Sequence, residues 1–407
     1  MFVALFATLD TKGREAAFVC QELVRLGVAV KLVDTSCLGE PAVPADVPRE
    51  RVFAAAGQDL ATLRTRADRG EAVTAAARGA AALAREWHGA GTLAGVMGLG
   101  GSAGTTIGTS AMRALPIGVP KLMISTLASG EVGAYVGTKD ILMMNSVVDV
   151  SGINRISRAV LSRAAQAMAG MAKAGPWTAS AEDRPLVAAT MFGVTTPCVE
   201  HARSVLERAG LEVLVFHATG TGGRAMEALI EEGAIAGVLD VTTTELADEL
   251  VGGFLSAGPE RLTAAGRRGV PQVISVGALD MVNFHGRASV PAKFDGRRFH
   301  RHNDHVTLMR TTPEENRALG REIGAKAAAS RGPVEIHVPL RGVSALDTAG
   351  GSFDDPAARS ELCLGIRERA ERVPVHEHDL HINDPAFAER MAQGLLGLLR
   401  EKANPAR

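Results

Sequence analysis

The sequence has few cysteines, few aromatic residues and no long apolar run, and these shortages exclude several classes of protein. The four cysteines, Cys20, Cys37, Cys198 and Cys363, are too far apart for a CxxC-type zinc motif, and we expect all four to be reduced. Without an apolar run of about 18 residues, no membrane span or membrane partner is expected. The N-terminus lacks the basic start and cleavage site of a signal peptide, so we expect a cytoplasmic protein.

Neither positive nor negative charge is in excess. The chain has 44 Lys and Arg against 45 Asp and Glu, a net charge of −1, which argues against nucleic acid as a partner. Aromatic residues make up only 4% of the 407 residues, and small aliphatic residues suit close packing of helices on a sheet. The length predicts two to three domains.

An apolar run at 93–97 leads directly into a segment rich in glycine and hydroxyl residues. Glycines let backbone N–H groups approach an anion, and a helix beginning there would direct its positive end at the same point. The segment comprises Gly98, Leu99, Gly100, Gly101, Ser102, Ala103, Gly104, Thr105 and Thr106. The alternative is an ordinary strand-to-helix turn with glycines serving tight packing. It is neither a P-loop nor a clean dinucleotide fingerprint, because the Gly-Lys-Ser/Thr ending and the later acidic residue are missing.

The N-terminal residues have the pattern of a βαβ unit. A strand at 2–8, a helix at 15–26 and a strand at 28–33 predict parallel strands with a right-handed crossover. Ligands of such sheets bind beyond the carboxyl ends of the strands. We therefore expect one ligand edge that collects the glycine segment and the polar residues after three other strands, namely Thr8, Asp10, Thr11, Lys12, Asp34, Thr35, Thr126, Ser129 and Gly130.

Further patterns predict the rest of the first half and a domain boundary. We expect a short strand at 51–53, a helix at 60–88 broken near Gly70, a strand at 140–145 and a helix at 151–171. Residues 174–185 have linker composition. They predict two domains, at 1–178 and 186–407.

The second half repeats the order of elements of the first half. Ala94-Gly95-Val96 is matched by 236–238, and Gly118-Val119-Pro120 by 269–271. By the same correspondence, 140–144 should match 305–309. The fold class predicted is α/β, with two Rossmann-like domains of similar topology, each a mostly parallel sheet flanked by helices. In the second half, 220–223 (Gly-Thr-Gly-Gly) is either a second anion cradle or a plain loop.

Residues 285–312 hold many cationic and imidazole side chains. Three interpretations stay open here: a metal site at His300, His302 and His305, a cationic pocket for a carboxylate or phosphate, and a solvated loop. No metal ligand set is assigned. Further candidates near strand ends are Arg341, Asp347, His376, His378, Asp379 and His381. Cys198, at a predicted helix start, is either a dipole-stabilised thiolate or, as we favour, a buried thiol.

Four long motifs resemble one known family. They are DTKG at 10–13, GLGGSAGTT at 98–106, VPKLMISTLASG at 119–130 and HNDHVTLMRTT at 302–312. They resemble the Tm-type ATP-binding family, named after the N-terminal half of the tomato mosaic virus resistance protein, over residues 1 to about 400. The resemblance implies a two-domain protein that binds ATP in the first domain and has a tendency to dimerise, so we expect a homodimer or a higher homo-oligomer. The plant protein's further C-terminal domain has no counterpart here, so its antiviral role is not carried over.

With the resemblance, the ligand edge becomes a predicted site for ATP and Mg²⁺. Its predicted residues are Thr8, Asp10, Thr11, Lys12, Thr35, Gly98, Gly100, Gly101, Ser102, Ala103, Thr105, Thr106, Thr126, Ser129 and Gly130. We expect an enzyme that uses ATP on a small anionic substrate in a cleft between the domains, with His302, His305 and Arg310 as candidate catalytic residues. The alternative is a non-catalytic nucleotide-binding module that acts through a conformational change or a protein partner.

Overall fold

The computed structural model describes residues 1–66, 68–175 and 183–403, and the chain divides into two compact units. They are Met1–Ser180 and Ala181–Arg407. Most of the predicted linker lies outside the described residues. No helix within the described ranges is long and apolar enough to cross a membrane.

The first unit is a five-stranded parallel sheet with helices on both faces. Its strands are β1 (Phe2–Ala7), β2 (Val30–Asp34), β3 (Leu93–Gly100), β4 (Lys121–Ser125) and β5 (Leu142–Asn145). The sheet order is β2-β1-β3-β4-β5. Its helices are α1 (Leu9–Arg25), α2 (Arg49–Ala55), α3 (Leu60–Arg66), α4 (Arg69–Gly89), α5 (Ser102–Arg113), α6 (Gly133–Val136) and α7 (Arg155–Ala174).

Alternate residues of β1 face two separate core layers. Val3 and Leu5 pack with α1 and α7, whereas Ala4 and Phe6 pack with α2, α4 and α5. A strand covered on both faces is apolar throughout, which is why its sequence is a continuous apolar run. The strand predicted at 2–8 is confirmed as β1. Its side chains alternate between the two faces of the sheet with a period of two, so both core layers receive apolar side chains from it.

One predicted strand of the first unit is wrong. Residues 51–53 lie inside α2, not in a strand. The backbone of Val52 lies so close to Gly79 of α4 that a Cβ on Gly79 would overlap the Val52 carbonyl oxygen. Helix-on-helix packing has therefore overridden the local strand preference of Val52 and Phe53. The predicted break near Gly70 is confirmed, because Asp68 caps α4 by accepting from Gly70 N at 2.8 Å and Glu71 N at 3.0 Å.

The second unit has a six-stranded parallel sheet and a small antiparallel sheet. Its strands are β6 (Leu186–Met191), β7 (Glu212–His217), β8 (Gly237–Thr242), β9 (Gln272–Gly277), β10 (Met281–Phe284), β11 (Phe299–Arg301), β12 (Thr307–Arg310), β13 (Val334–Pro339) and β14 (Val375–His378). The parallel order is β14-β13-β9-β8-β6-β7, and the antiparallel order is β10-β12-β11. Its helices are α8 (Thr196–Arg208), α9 (Thr221–Glu231), α10 (Thr244–Val251), α11 (Ala264–Arg268), α12 (Pro313–Ala328), α13 (Pro356–Arg369) and α14 (Pro385–Ala403).

The two units share a topology, as the sequence predicts. The order β2-β1-β3-β4-β5 of the first unit recurs as β7-β6-β8-β9-β13 in the second. The predicted match of 140–144 to 305–309 is wrong, because the strand beside β9 is β13. Residues 307–310 form β12 of the antiparallel sheet, which is inserted between β9 and α12. A strand followed by an Ala-containing helix occurs in both places, and sequence pattern alone does not separate them.

Candidate functional site

The candidate site of the first unit lies where the sheet order reverses. From β1 the chain continues to β2 on one side, and β3 lies on the other side of β1. In open parallel sheets, ligands bind at this switch point, outside the carboxyl ends of the two central strands. Phe6 of β1 pairs with Gly98 of β3, so the loops that follow both strands begin side by side.

The glycines after β3 have two different roles. A Cβ at Gly98 would lie 2.7 Å from Met123 Sδ, and one at Gly104 would lie 2.9 Å from the Leu99 carbonyl oxygen. Gly100 has a φ of +154°, and its Cβ would lie 3.0 Å from Gly104 Cα. These glycines therefore let α5 pack closely on β3.

Gly101 differs from these glycines. The contact nearest to a Cβ on Gly101 would be Thr126 Oγ1, at 3.7 Å. Gly101 is the N-cap of α5, and no side chain in the part of the chain that the structure describes caps this helix. The N–H groups of its first turn, at 102–104, have no acceptor within the helix, which is the arrangement that binds anions at helix N-termini.

The hydroxyls of this turn also divide into two sets. The buried Thr105 hydroxyl bonds Gly101 O at 2.8 Å and Ser125 Oγ at 2.7 Å, so it ties the turn to β4. Thr106 Oγ1 donates to Ser102 O at 2.9 Å. Ser102 is exposed at the start of the helix. Of the predicted hydroxyl ligands in this turn, Ser102 is the one placed to reach a bound anion, and Thr105 positions the turn.

The N-terminus of α1 is capped from within the chain. The buried carboxylate of Asp34 accepts from Leu9 N at 3.3 Å, and Ser36 Oγ accepts from Asp10 N at 2.9 Å. Thr35 is also buried, with 1% of its surface exposed. Asp34 and Thr35 therefore support the loop after β1. They do not face the open side of that loop, although the sequence analysis predicts them at the ligand edge.

Three side chains of the loop after β1 remain at the edge. The hydroxyls of Thr8 and Thr11 lie 3.0 Å apart, and Thr11 is exposed. Lys12 is half-buried and interrupts the helical geometry of α1 with a φ of −124° and a ψ of 16°. Asp10, in contrast, accepts from Gly39 N at 3.1 Å. From the β4 side, Ser129 and Gly130 are exposed.

The second unit has a glycine loop after β7, the counterpart of β2, and this loop is filled by the chain itself. The backbone N–H groups of Gly220 and Gly223 donate to Glu245 Oε1 at 2.6 and 3.1 Å. Glu245 is fully buried, and its other oxygen accepts from Arg261 Nε at 2.6 Å. The glycine loop at 220–223 is thus an anion cradle, but its anion is a carboxylate of the same chain.

Arg261 links the buried carboxylate of Glu245 to the central strand β8. Its fully buried guanidinium bonds both carboxylate oxygens of Asp240 at 2.5 and 2.7 Å and lies 3.4 Å from Glu227. Burial opposes its charge, yet the carboxylates of Asp240 and Glu245 raise the pKa of Arg261 well above its ordinary value. Asp240 occupies the place that Gly98 has in the first unit, so the second switch point holds a buried ion-pair network.

The cationic side chains of 285–312 are largely paired with acidic ones. Arg297 bonds Glu315 at 2.7 Å, and Arg298 bonds Asp355 at 2.7 Å. Further pairs of this segment are Arg287 with Asp295 and Arg301 with Asp304. These guanidinium groups are not assembled into a pocket for an external anion.

Arg310, a candidate catalytic residue, is 3% exposed and surrounded by acceptors. It donates to Phe353 O and Thr311 Oγ1, both at 2.8 Å, and lies 3.6 Å from Asp347 Oδ1. Asp347 is also bonded by Arg359 at 2.6 Å. Arg310 therefore joins β12 to the loop after β13.

The histidines of the same segment do not converge. His302 and His305 are exposed in the turn between β11 and β12, and His300 lies 3.4 Å from Ser352 Oγ. Within the described ranges, the one group of three potential metal ligands is Glu335, His337 and His376. Their ligand atoms all lie within 4.8 Å of one another.

A hydrogen-bonded chain runs through this second group. Arg390 Nη1 lies 2.8 Å from His378 Nδ1, and because a guanidinium only donates, Nδ1 accepts and the proton of His378 is on Nε2. His378 Nε2 then donates to His337 Nδ1 at 3.2 Å, and His337 Nε2 donates to Glu335 Oε2 at 3.2 Å. Burial is the main cause that lowers the pKa of His378 to about 4, and the positive charge of Arg390 acts in the same direction. The hydrogen bond from His337 lowers the pKa of Glu335.

The sequence contains a signal for this group. His376 and His378 are among the candidates predicted from the sequence, and Glu335 and His337 are not. Glu-x-His in β13 and His-x-His in β14 each place two side chains on one face of a strand. His337 and His376 are direct partners in the parallel pairing, which brings both patterns together.

The remaining candidates have structural partners. Cys198 is fully buried, and burial raises the pKa of its thiol to about 12, so the buried-thiol interpretation applies and not the thiolate one. All four cysteines are free thiols. Arg341 bonds Asp379 at 2.7 Å on the surface.

Comparison with known proteins places the chain in a family. Residues 1–176 match the N-terminal domain, and residues 184–399 the C-terminal domain, of the uncharacterised protein family UPF0261. A UPF0261 protein of Clostridium tetani is 44% identical over 401 residues, which cover 98% of this chain and 99% of that protein. A UPF0261 protein of Rhizobium meliloti is 46% identical and covers 99% of each chain.

A plant protein is similar over nearly the same length. The ToMV susceptible protein tm-1(GCR26) of Solanum lycopersicum is 41% identical across 97% of this chain, which spans 55% of the tomato protein. Among solved structures, the glycosyltransferase VinC in complex with dTDP aligns with 99% of this chain at 12% identity, but its TM-score of 0.18 supports no argument. The matches to both domains and the identity along the whole chain show that this protein belongs to the UPF0261 family, which is related to the tomato Tm-1 proteins.

Proposed function

We propose that the first unit binds ATP with Mg²⁺ at the β1–β3 switch point, with the phosphates at the N-terminus of α5. The observation that carries this proposal is the contrast between the two units. The first unit has an uncapped helix start at Gly101 with room beside it. In the second unit, α10, the counterpart of α5, carries the buried Glu245 in its first turn, and Asp240 of β8 takes the place of Gly98; Arg261 bonds both carboxylates. The switch point of the second unit thus holds internal charges, and this contrast supports an external anion at the α5 start of the first unit.

Each group at the edge has a role in this proposal. The N–H groups of 102–104 and the Ser102 hydroxyl bind phosphate oxygens, and the Lys12 ammonium neutralises part of their charge. Mg²⁺ is held mainly by the phosphates and water, with the hydroxyls of Thr8 and Thr11 near enough to join its shell. Thr126, Ser129 and Gly130 border the nucleotide from the β4 loop. Thr105 keeps the turn in place.

Of the two candidate functions, we propose the nucleotide-binding module as the main one and the ATP-dependent enzyme as the alternative. A small anionic substrate would need free cationic groups, and the arginines at 297, 298 and 310 already have acceptors. His302 and His305 stay candidates for catalysis, since both are exposed. The homodimer and the cytoplasmic location stay predictions as well.

The test is calorimetric titration of the full chain with MgATP, using Gly101→Val. A Cβ fits at Gly101, so the variant should fold, but the valine methyl groups would cover the N–H groups of the α5 start. We expect ATP binding to be lost, with an unchanged thermal midpoint.

The matched control is Gly193→Val. Gly193 is separated from the end of β6 by Phe192 and lies at the switch point of the second unit. A Cβ at Gly193 meets no atom within 4 Å. Its ATP affinity should equal that of the wild type. Wild-type affinity in Gly101→Val, or loss of affinity in Gly193→Val alone, would refute the assignment to the first unit.

A further inference from the structure

The group formed by Glu335, His337 and His376 has the spacing of a metal site. His337 Nε2 and His376 Nε2 lie 3.2 and 3.7 Å from Glu335 Oε2. Tetrahedral ligand atoms that are about 2.0–2.2 Å from zinc lie about 3.4 Å from one another. The three ligand atoms all lie within 4.8 Å of one another, so His376, whose side chain is 45% exposed on the edge strand β14, would have to rotate to enclose an ion.

The helix that covers this group leaves space for it. Gly394 of α14 faces the cluster, and a Cβ there would lie 2.9 Å from Glu335 Oε2 and 3.3 Å from His337 Nε2. Any larger residue would displace the two ligand atoms. The exposed side of His376 gives solvent access to the cluster, so an ion could enter without opening the core.

We propose that Glu335, His337 and His376 form a binding site for Zn²⁺ or a similar divalent transition metal, with one coordination position left for water or a ligand. Two imidazoles and one carboxylate are a typical zinc ligand set for a site with an open position. The site lies on the second unit and does not depend on the proposed ATP site of the first.

Arg390 opposes metal binding in this proposal. A metal on His337 Nε2 needs the lone pair of that nitrogen, so the ring proton must move to Nδ1 and be donated to His378 Nε2. His378 would then carry its proton on Nδ1, directly against the donor Nη1 of Arg390, now 2.8 Å away. Metal binding therefore requires Arg390 to move away, and its hydrogen bond to His378 holds the metal-free arrangement.

The experiment titrates the chelator-treated full chain with ZnCl2 against a competing fluorescent zinc chelator. Co²⁺ serves as a spectroscopic probe of tetrahedral coordination. We expect one tight site per chain. His376→Ala should weaken zinc binding by about tenfold or more, because it removes a ligand at the surface without touching the core. The matched control, His305→Ala, removes an exposed histidine elsewhere in the same unit and should leave the affinity unchanged.

A second variant tests the role of Arg390 and should change the zinc affinity in the opposite direction. Arg390→Gln puts an acceptor where Arg390 has only donors, so it should tighten zinc binding by about tenfold. A general loss of structure would weaken binding, so tightening separates this effect from misfolding. Equal zinc affinity in wild type and His376→Ala overturns the site. Unchanged or weaker binding in Arg390→Gln overturns the role of Arg390.

Discussion

The backbone N–H of Gly220 donates a 2.6 Å hydrogen bond to the buried carboxylate of Glu245, which lies 25 positions later in the chain. Arg261 bonds the other oxygen of the same carboxylate at 2.6 Å. A glycine loop at a strand end is thus occupied by an internal anion, which is in turn neutralised by an internal cation. Among the described residues, no side chain caps the start of α5 at Gly101, and this difference supports the proposal that the first unit binds an external anion there.

The first prediction concerns Arg261, whose guanidinium is shared by Asp240, Glu245 and Glu227. Arg261→Leu should lower the free energy of unfolding by about 3–5 kcal/mol, because it leaves buried carboxylates without a counter-charge. Urea denaturation of the full chain measures the change. The matched control is Arg267→Leu, whose side chain is 47% exposed and pairs with Glu231, and it should cost less than about 1 kcal/mol. Equal losses in both variants would contradict a special role for the buried network.

The succession of strands and helices along most of both units could be predicted from the sequence. Strands buried on both faces are continuous apolar runs, and each is followed by a helix of suitable length. The Gly-Val-Pro at 118–120 and at 269–271 precedes the fourth strand of each repeated order. Periodicity could not reveal which sheet β12 joins, since pairing depends on residues distant in the chain.

The sequence predicted the position of the glycine turn more accurately than the roles of its residues. The glycine turn follows a central strand, as predicted, but Gly98, Gly100 and Gly104 serve helix packing and Gly101 alone of the turn faces open space. The hydrogen bond from Gly220 to the carboxylate of Glu245 could not be predicted, because in the sequence Glu245 looks like any other helical glutamate. Burial and pairing, which decide whether a charge is available, are properties of the folded chain.

The second prediction concerns Lys12, which follows β1 at the proposed phosphate site. Lys12→Ala should weaken ATP binding by about tenfold or more, because a charge-assisted contact contributes about 1.5–3 kcal/mol. The thermal midpoint should hardly change, since Lys12 is only half-buried. Calorimetry with MgATP measures the affinity, and Lys173→Ala, an exposed lysine near the end of α7, is the control. Unaltered affinity in Lys12→Ala would remove this lysine from the site.

The third prediction concerns Asp248, a buried acid that burial shifts toward its neutral form. Its Oδ1 accepts from Asn283 N at 3.0 Å, and its Oδ2 accepts from Asn283 Nδ2 at 2.7 Å. Burial raises the pKa of Asp248 to about 7, against an ordinary value of 3.8, and the charge of Glu245 acts in the same direction. The folded state therefore holds this proton between about pH 4 and pH 7, where the unfolded state has lost it.

Stability should consequently fall as the pH rises through that range. Asp248→Asn removes the titration and keeps the acceptor for the backbone, and Asn283 Oδ1, which has no partner among the described residues, can turn to meet the new amide. Relative to this variant, the wild type should lose at most about 4 kcal/mol between pH 4 and pH 7 and nothing further above. Urea denaturation at a series of pH values gives the difference, with Asp295→Asn, whose side chain is 71% exposed, as the control. A difference that stays constant or grows in favour of the wild type as pH rises would show that Asp248 is charged in the folded protein.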